Sequence, residues 1–579
     1  MPVIATAGHV DHGKSALIEA LTGRNPDRLG EEKRRGLTID LGFAWTTLPS
    51  GCSVAFVDVP GHQRFIGNML AGVGSVSSAL LIVAADEGWK PQTEEHLAVL
   101  DLLDTKRVLV ALTKIDLANE VSLLMADIRK RLVGTVAQDA QIIPVSVRSG
   151  RGLDDLREAL DHIAVDPDDV GRPQIWVDRA FVVAGAGIVV TGTLLGGSLG
   201  TGDEVAIWPG DLAARVRSVE SHERKQDRVA PGNRIGVNLA GLGRGDVERG
   251  ARIALPGSMR STSRIQVTLR LPRYVSELGE RGDYHLHVGT ASVAATLRPL
   301  DKEHALVDLA HPLWLQAGDR FVVRDSGRRL VIAGGMVLDP APVGRRSEIA
   351  SRSLRLAEAV QGGPDQVATA LLEARGRARQ ADLAAWSGGG HADAIGESEL
   401  LLSSGKAAEL AGEAVVAVDQ HHQSRPLEEG LSLGRLASLL EVDEPLARTI
   451  VALTASLELR GSAVAARGSA PQEIDERWQS LATTLQTAAP PTLDELGVDS
   501  ELIRRLLRDG QLVRVADNLV YLPASLEEVI ATVRAIDAPF TVSEFRRLLG
   551  ITRKHAVPLL EYFDREGITL RTGDQRTAR

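Results

Sequence analysis

The residues from Gly8 to Ser15 read GHVDHGKS, which fits the pattern G-x-x-x-x-G-K-[ST]. A short apolar run precedes this stretch and a helical stretch follows it, as a phosphate-binding loop requires. The backbone N–H groups of such a loop point at phosphate oxygens; Lys14 would reach the β- and γ-phosphates, and the Ser15 hydroxyl would hold Mg²⁺. We therefore predict a nucleoside triphosphate site formed by Gly8, His9, Val10, Asp11, His12, Gly13, Lys14 and Ser15.

Two further segments carry residues that a nucleotide switch needs. Thr38, in RRGLTID, would give its hydroxyl to Mg²⁺ and its backbone N–H to the γ-phosphate, so its loop is ordered only while the triphosphate is intact. In DVPGH, Asp58 would reach Mg²⁺ through a water molecule, and Gly61 would turn its N–H to the γ-phosphate. His62 would orient the attacking water as the catalytic residue; the plainer alternative is a solvated loop histidine.

The segment TKID, from Thr113 to Asp116, indicates which base is bound. A carboxylate can accept hydrogen bonds from N1–H and the 2-amino group of guanine, whereas adenine lacks the matching donors, so Asp116 selects GTP over ATP. Lys114 would lie across the ring plane. Thr113 stands where asparagine is commoner, which removes one supporting amide. Ser146, in VSVRSG, would complete the base pocket through its backbone.

The composition restricts the class of protein. The chain of 579 residues is too long for one hydrophobic core, so several domains are expected. The single cysteine, Cys52, excludes an intrachain disulfide and fits a reducing cytoplasm. No apolar run reaches the roughly 18 residues of a membrane span, so we expect no membrane partner. Because the net charge is -10, any contact with nucleic acid must use local basic patches.

The hydrophobic pattern and the turn residues of the sequence predict the domains that position these residues. Residues 1–172 alternate apolar runs with helical stretches, which indicates an α/β P-loop GTPase domain with a parallel sheet. Residues 173–259 and 260–342 are β-rich with Gly-containing turns, which predicts two β-barrels. Beyond them, 3.6-residue periodicity with short β-like closings predicts C-terminal tandem winged-helix (α+β) domains. Their predicted ranges are 348–425, 426–470, 471–523 and 524–579.

The end of the chain is basic although the whole protein is acidic. Residues 545–579 carry eight arginine and lysine side chains against four aspartate and glutamate side chains. A winged helix with such a patch can hold the phosphates of an RNA hairpin and stack arginine planes on its unpaired loop bases. We predict RNA contacts at Arg546, Arg553, Lys554, Arg571 and Arg576. The alternative, a solvated helix face with stray charges, stays open for Arg565 and Arg579.

The strings GHVDHGKS, RGLTID and DVPGH together resemble the translational GTPases of the elongation factor Tu type. The resemblance implies ribosome-stimulated GTP hydrolysis with GTP/GDP and Mg²⁺ as cofactors. The segment 181–205 resembles the start of that family's second domain, a barrel that cradles the aminoacyl end of a transfer RNA. By this resemblance Asp178, Arg179 and Arg234 would form the amino-acid pocket. The alternative is that both arginines merely pair with carboxylates such as Asp178.

The later segments RFVVRDSGRRLVIAGGMVLDPAP and TRKHAVPLLEYFDREGITLRTGDQR resemble the selenocysteine-specific elongation factors. That resemblance implies a cytoplasmic monomer that carries selenocysteyl-tRNA to the ribosome. It also implies that the last winged helix binds a messenger-RNA hairpin, so that a UGA codon is recoded. A selenol is largely an anion at neutral pH, so Arg179 and Arg234 would favour it over the neutral hydroxyl of serine.

Two rival functions remain at this stage. One is a general aminoacyl-tRNA carrier, or an initiation-factor relative, with an unrelated C-terminal extension. The other is a GTP-switched regulator that binds duplex DNA, because winged helices more often bind DNA than RNA. The acidic to neutral character of residues 400–460 disfavours the regulator, since an array of DNA-binding units would need basic recognition helices throughout.

Overall fold

The computed structural model of the chain describes most of its 579 residues. The described ranges are 2–26, 41–60, 66–73, 76–183, 187–222, 224–278, 282–397, 399–425, 428–469 and 475–579. The chain divides into two compact units, one of Met1–Ala394 with Glu399–Ser403 and one of Ile395–Ser398 with Ser404–Arg579. No helix in the described ranges is long and apolar enough to cross a membrane.

The first unit begins with an α/β domain. Its sheet has the strand order β2-β3-β1-β4-β5-β6, in which β2 runs antiparallel to β3 and the other neighbours are parallel. Helices cover both faces, so β1 and β4 are buried along their whole length. Its strands are β1 (Val3–Gly8), β2 (Gly42–Thr47), β3 (Ser53–Asp58), β4 (Ser78–Ala84), β5 (Arg107–Thr113) and β6 (Ile142–Pro144). Its helices are α1 (Lys14–Thr22), α2 (Ile66–Val73), α3 (Pro91–Leu102), α4 (Val121–Leu132) and α5 (Leu153–Ile163).

A first β-barrel follows. It has the strand order β10-β15-β7-β8-β14-β11 and closes through a β10–β11 pairing, while β12 extends β11 and β9 pairs with β13. A β-bulge between Val177 and Arg179 turns the side chains of β7, which helps to build the site described below. Its strands are β7 (Gln174–Val183), β8 (Gly187–Leu195), β9 (Leu199–Gly200), β10 (Glu204–Trp208), β11 (Leu212–Ser221), β12 (Arg224–Gln226), β13 (Arg228–Val229), β14 (Arg234–Ala240) and β15 (Arg252–Ala254).

A second, closed barrel has the strand order β16-β19-β18-β17-β20-β21 around a separate apolar core. The segment that follows β16 contacts α3 of the α/β domain: Arg270 pairs with Asp101 at 2.8 Å and Arg273 pairs with Glu94 at 2.5 Å. Gly334 permits the approach, because a Cβ there would lie 2.8 Å from Leu102 Cβ. Its strands are β16 (Ser261–Thr268), β17 (Tyr284–Val288), β18 (Ala291–Pro299), β19 (His304–Trp314), β20 (Arg320–Asp325) and β21 (Leu330–Asp339).

The first winged helix packs on the second barrel within the same unit. Its Arg375 forms an ion pair of 2.6 Å with Asp339 of β21, and the two side chains are 5% and 3% exposed. Gln266 of β16 also donates a hydrogen bond of 2.9 Å to the Ser353 hydroxyl. The elements of this winged helix are α6 (Arg346–Gly362), α7 (Pro364–Arg375), β22 (Arg377–Arg379), α8 (Gln380–Ser387) and β23 (Leu400–Leu402).

The second unit contains further helix–wing repeats. The first repeat comprises α9 (Ser404–Ser424), β24 (Leu431–Ser432), α10 (Leu433–Leu439), α11 (Glu444–Leu453), β25 (Leu457–Arg460) and β26 (Ala463–Ala466). The next comprises α12 (Asp475–Leu485), α13 (Leu493–Leu496), α14 (Ser500–Arg508), β27 (Val513–Ala516) and β28 (Leu519–Tyr521). The last comprises α15 (Pro523–Arg534), β29 (Phe540–Thr541), α16 (Val542–Leu549), α17 (Arg553–Arg565), β30 (Thr569–Thr572) and β31 (Gln575–Ala578).

The wing of the penultimate repeat contributes to the apolar core of the final winged helix. Val515, Leu519 and Tyr521 of the penultimate wing are buried with Phe545 and Phe563 of the final winged helix. The buried His555 of α17 also lies 2.8 Å from the Pro490 carbonyl oxygen in the preceding repeat. The two repeats are therefore one structural body.

The predicted fold class, an α/β domain, two β-barrels and C-terminal winged helices, is confirmed. One predicted boundary differs from the compact units: the range 348–425 joins the first winged helix to α9, whereas α9 belongs to the second unit. The physical reason is that Ala414 and Val418 of α9 are buried in the unit that contains α11 and β26. The other boundaries stay predictions.

We predict that Arg375→Ala lowers the free energy of unfolding of the first winged helix and its barrel by about 3–5 kcal/mol, because it leaves the buried Asp339 carboxylate without its cationic partner. Denaturant unfolding followed by tryptophan fluorescence measures this, and Trp386, under the Arg375 guanidinium, is one of the seven tryptophans that contribute to the signal. The control is Arg355→Ala, which removes an exposed pair with Glu373 and should cost under about 1 kcal/mol. Equal losses in the two variants would contradict the prediction.

Candidate functional site

The loop between β1 and α1 has the backbone of a phosphate cradle. Asp11 and Gly13 have φ angles of 62° and 82°, which turn successive N–H groups to one side of the loop. Gly8, with φ 137°, passes so close to β4 that a Cβ there would lie 2.2 Å from the Ile82 carbonyl oxygen. The glycine positions of the sequence pattern therefore have a steric cause in this fold.

Lys14 lies over this loop. Its side chain is buried, and its ammonium donates hydrogen bonds to the carbonyl oxygens of Gly8 at 3.2 Å and His9 at 2.8 Å. These contacts hold the positive charge within the cradle, where it can meet phosphate oxygens.

The predicted Mg²⁺ ligands of the described residues lie side by side. The Ser15 hydroxyl donates to Asp58 Oδ2 at 2.6 Å, and the Thr6 hydroxyl donates to Asp58 Oδ1 at 2.8 Å. The Val59 N–H donates to the Thr6 oxygen at 3.0 Å, which fixes the chain beyond β3. A hydroxyl beside a carboxylate is an oxygen donor set that suits Mg²⁺, so the residues fit the ion.

Helix α3 binds the phosphate loop from behind, a feature that the sequence interpretation missed. The Gly8 N–H donates to His96 Nδ1 at 2.9 Å, and the Val10 N–H donates to Gln92 Oε1 at 3.2 Å. Burial lowers the pKa of His96 to about 3, so the ring stays neutral and can accept this hydrogen bond. The available signal was a histidine and a glutamine four positions apart on one helix, PQTEEH.

The predicted base-recognition residues come together beside the loop. The Ser146 hydroxyl donates to Asp116 Oδ1 at 2.6 Å, and this hydrogen bond is the main cause of the lowered pKa of Asp116. Lys114, at φ 55°, pairs with Asp86 at 3.0 Å. Ser146 therefore contributes its side chain, which orients the Asp116 carboxylate.

Thr113 links this base motif to the phosphate loop. Its hydroxyl donates a hydrogen bond of 2.7 Å to the His12 carbonyl oxygen. The threonine thus supplies one donor at the position where asparagine is commoner. Burial lowers the pKa of His12 itself to about 4.

Thr38, Gly61 and His62 lie outside the described residues. Their predicted roles in Mg²⁺ binding, γ-phosphate sensing and catalysis stay predictions.

Two of the three predicted amino-acid pocket residues line a cavity of about 250 Å³ between β2 and the first barrel. Arg179 and Arg234 line it, and the Arg234 guanidinium stacks on the Phe43 ring at 3.6 Å. The buried Asp178, at the bulge of β7, accepts hydrogen bonds from Arg234 at 2.8 Å and 3.0 Å. The Arg234–Asp178 pair of the alternative interpretation is therefore present, and it presents Arg234 at the cavity wall.

Arg179 reaches across to the α/β domain. Its guanidinium donates to the Leu41 carbonyl oxygen at 2.8 Å and lies 5.3 Å from the centre of the Phe43 ring. Both contacts are to residues just before and within β2. The cavity is thus built from two domains at once.

Four of the five predicted RNA contacts are exposed in the final winged helix. These are Arg546 on α16, Arg553 and Lys554 at the start of α17, and Arg571 on β30. Lys554 pairs with Glu495 of the preceding repeat at 2.6 Å, which lowers the pKa of Glu495 to about 2.

Arg576 is placed differently from the prediction. It is 5% exposed, and its guanidinium is held by Asp564 at 2.9 Å. The neighbouring Thr569 hydroxyl donates to the same carboxylate at 2.6 Å. Arg576 fastens the wing to α17 instead of lying on the surface, because alternation along β31 turns it into the core.

Family models match four parts of the chain. The elongation factor Tu GTP-binding domain matches residues 1–166, and elongation factor Tu domain 2 matches residues 187–254. The β-barrel domain of the selenocysteine-specific elongation factor matches residues 262–343. The winged helix of elongation factor SelB matches residues 534–578.

Similar proteins match the chain from end to end. A selenocysteine-specific elongation factor from Desulfomicrobium baculatum is 33% identical, and the match covers 100% of this chain and 100% of the relative. One from Escherichia coli (strain K12) is 32% identical, over 100% of this chain and 98% of its own. The crystal structure of a bacterial selenocysteine-specific elongation factor, EF-Sec, superposes with a TM-score of 0.73 at 28% identity over 100% of both chains.

We predict that Thr113→Val weakens GDP binding about tenfold, because the buried His12 carbonyl loses its donor and the phosphate loop is held less firmly. Equilibrium titration with a fluorescent GDP analogue measures the change. Thr113→Ser, which keeps the hydroxyl, is the matched control and should stay near the wild-type affinity. Equal affinities of the valine and serine variants would show that the hydrogen bond is irrelevant to the nucleotide.

Proposed function

Since this chain belongs to the family of selenocysteine-specific elongation factors, which are translational GTPases, we propose that it carries selenocysteyl-tRNA to the ribosome in the cytoplasm and binds a messenger-RNA hairpin. The observation that carries the first half is the cavity with Arg179 and Arg234 on its wall. The observation that carries the second half is the exposed basic surface of the final winged helix. A hairpin held in this way would mark the UGA codon that is to be recoded.

GTP binding follows from the chemistry of the loop. The N–H groups of the cradle and Lys14 would hold the phosphates, and Asp116 would accept from the two donors of guanine. Ser15, Thr38 and, through a water molecule, Asp58 would hold Mg²⁺. The ion, when bound, neutralises charge on the β- and γ-phosphates. Gly61 would sense the γ-phosphate, and His62 would orient the attacking water.

Amino-acid selection rests on charge. A selenolate carries a negative charge at neutral pH, whereas the hydroxyl of serine on the same transfer RNA is neutral. Asp178 neutralises part of the Arg234 charge but fixes its direction, and Phe43 shields one face of the guanidinium from water. An anionic side chain in the cavity would therefore gain charge-assisted hydrogen bonds that serine cannot make.

The full-length matches also bear on the rival functions. The proposal of a general carrier with an unrelated C-terminal extension is disfavoured, because the selenocysteine-specific relatives match this chain over its C-terminal part as well. A regulator that binds duplex DNA is a different proposal, and the hairpin experiment below includes DNA for that reason. We propose that the protein acts as a monomer with the ribosome as its third partner.

The pocket is tested by protection of aminoacyl-tRNA from hydrolysis. With GTP present, we predict strong protection of selenocysteyl-tRNA and weak protection of seryl-tRNA by the wild-type protein. Arg234→Met should reduce the ratio of the two protections about tenfold or more, because a charge-assisted hydrogen bond is lost. Arg215→Met, at an exposed position on β11 of the same barrel, is the matched control. Equal protection of both transfer RNAs by the wild-type protein would refute the selectivity.

The basic surface is tested by salt-dependent binding of RNA to the whole protein. We predict that Arg553→Ala with Lys554→Ala weakens hairpin binding and lowers the salt slope by about one per lost phosphate contact. Arg565→Ala, an exposed change near the other end of α17, is the control and should leave both quantities unchanged. Tighter binding of duplex DNA than of any hairpin would favour the regulator instead.

A further inference from the structure

A cavity of about 510 Å³ lies at the junction of the first unit's domains. Its walls come from the α/β domain, the linker that follows it, both barrels and the first winged helix. Its lining includes Val3, at the N-terminal end of β1, and Ser77, which directly precedes β4. The phosphate loop follows the C-terminal end of β1, so this cavity is distinct from the nucleotide site.

The lining of this junction cavity carries an excess of positive charge. Four cationic side chains and two carboxylates face it: Lys106, Arg172, Arg252, Arg320, Asp104 and Asp319. Such an excess inside a partly enclosed, low-dielectric space attracts anions.

The carboxylates are already engaged by three of the cations. Asp319 accepts two hydrogen bonds from Arg252, of 2.6 Å and 3.1 Å. Asp104 is shared, with 2.5 Å contacts to both Lys106 and Arg320. Asp104 therefore pairs with two cations and Asp319 with one, and neither carboxylate pairs with Arg172.

Arg172 has no carboxylate partner among the described residues. Its guanidinium donates to the Ser258 carbonyl oxygen at 3.0 Å, but its Nε–H is buried without a hydrogen-bond acceptor in the described part of the chain. The nearest acidic residue before it in the linker, Asp169, is bonded to the Ser198 hydroxyl and the Gly171 N–H. A partly buried cation with no counter-charge is costly, and an anion in the cavity would offset that cost.

The surroundings hold Arg172 in place. Gly389 of the first winged helix packs so closely that a Cβ there would lie 2.7 Å from Arg172 Cδ and 2.8 Å from Arg172 Nη1. Burial and the nearby Arg252 lower the pKa of Arg172, as expected for two cations facing one low-dielectric space. The guanidinium is thus positioned before any ligand arrives.

We propose that the junction cavity binds a phosphate-type dianion, either free phosphate or the phosphate group of a small organic molecule, with Arg172 as its principal ligand. The planar fork of a guanidinium matches two phosphate oxygens. The excess of two positive charges matches a dianion. The volume exceeds what one phosphate needs and falls within the range of small-molecule sites, which leaves room for an organic part.

A bound anion would stabilise the packing of these domains against one another. A ligand held by Arg172 would touch the linker between the α/β domain and the first barrel while facing residues of the second barrel and the first winged helix. The site would therefore be a binding site for a small effector, separate from the nucleotide and RNA sites.

Calorimetric titration of the whole protein tests this proposal. The protein is first saturated with GDP and Mg²⁺, so that the phosphate loop is occupied, and is then titrated with inorganic phosphate or glycerol 3-phosphate at constant ionic strength. We expect both to bind at one site. Tighter binding of glycerol 3-phosphate would identify an organic phosphate as the ligand, and equal affinities would identify free phosphate.

Two variants locate the site. Arg172→Met should abolish binding. Val170→Glu, at a 65% exposed position on the cavity wall, should weaken it about tenfold by placing a negative charge beside the anion, whereas the matched Val170→Gln should stay within about twofold of wild type. Because Val170 is exposed, its substitution spares the fold. Absence of binding to the wild-type protein, or equal affinities of the Glu and Gln variants, would overturn the proposal.

Discussion

The N-terminal unit depends on one helix that is bound on two sides. On one side, His96 and Gln92 of α3 accept hydrogen bonds from N–H groups of the phosphate loop. On the other, Glu94 and Asp101 form ion pairs with arginines of the second barrel. Because a helix is stiff over this length, the position of the barrel and the shape of the loop are set together. The same helix therefore contacts both the phosphate loop and the second barrel.

The parts of the site that could be predicted are those in which neighbouring residues in sequence act together. The loop from Gly8 to Ser15 is fixed by local backbone geometry, so its spacing alone identifies it. Asp116 and Ser146 lie in short segments that follow neighbouring parallel strands, β5 and β6, and the carboxyl ends of such strands meet at one edge of the sheet. The alternation of apolar runs with helical stretches predicted the α/β domain, and β-rich segments with Gly-containing turns predicted the barrels, because both are local sequence patterns.

What could not be predicted depends on contacts between distant segments. The sequence identifies Arg576 as a basic residue, but only the pairing of β31 with its neighbours shows that its side chain is buried and pairs with Asp564. The role of His96 requires knowing that α3 passes behind residue 8, which is 88 positions away. Helix α9 lies in the second compact unit, whereas the predicted range 348–425 groups it with the first winged helix, because its sequence is equally helical whichever repeat it packs against. Sequence periodicity predicts that a segment is helical, but only tertiary packing determines which neighbouring element the helix contacts.

The apolar core that contains residues of both last repeats sets the size of the smallest C-terminal fragment that can fold on its own. A fragment that began at α15 would lose Tyr521, whose ring is fully buried, and would leave Phe545 and Phe563 without part of their packing. Small domains have little stability to spare, so such a fragment would be prone to aggregation. The shape of the exposed basic surface of the final winged helix therefore depends on residues of the preceding repeat as well as on its own.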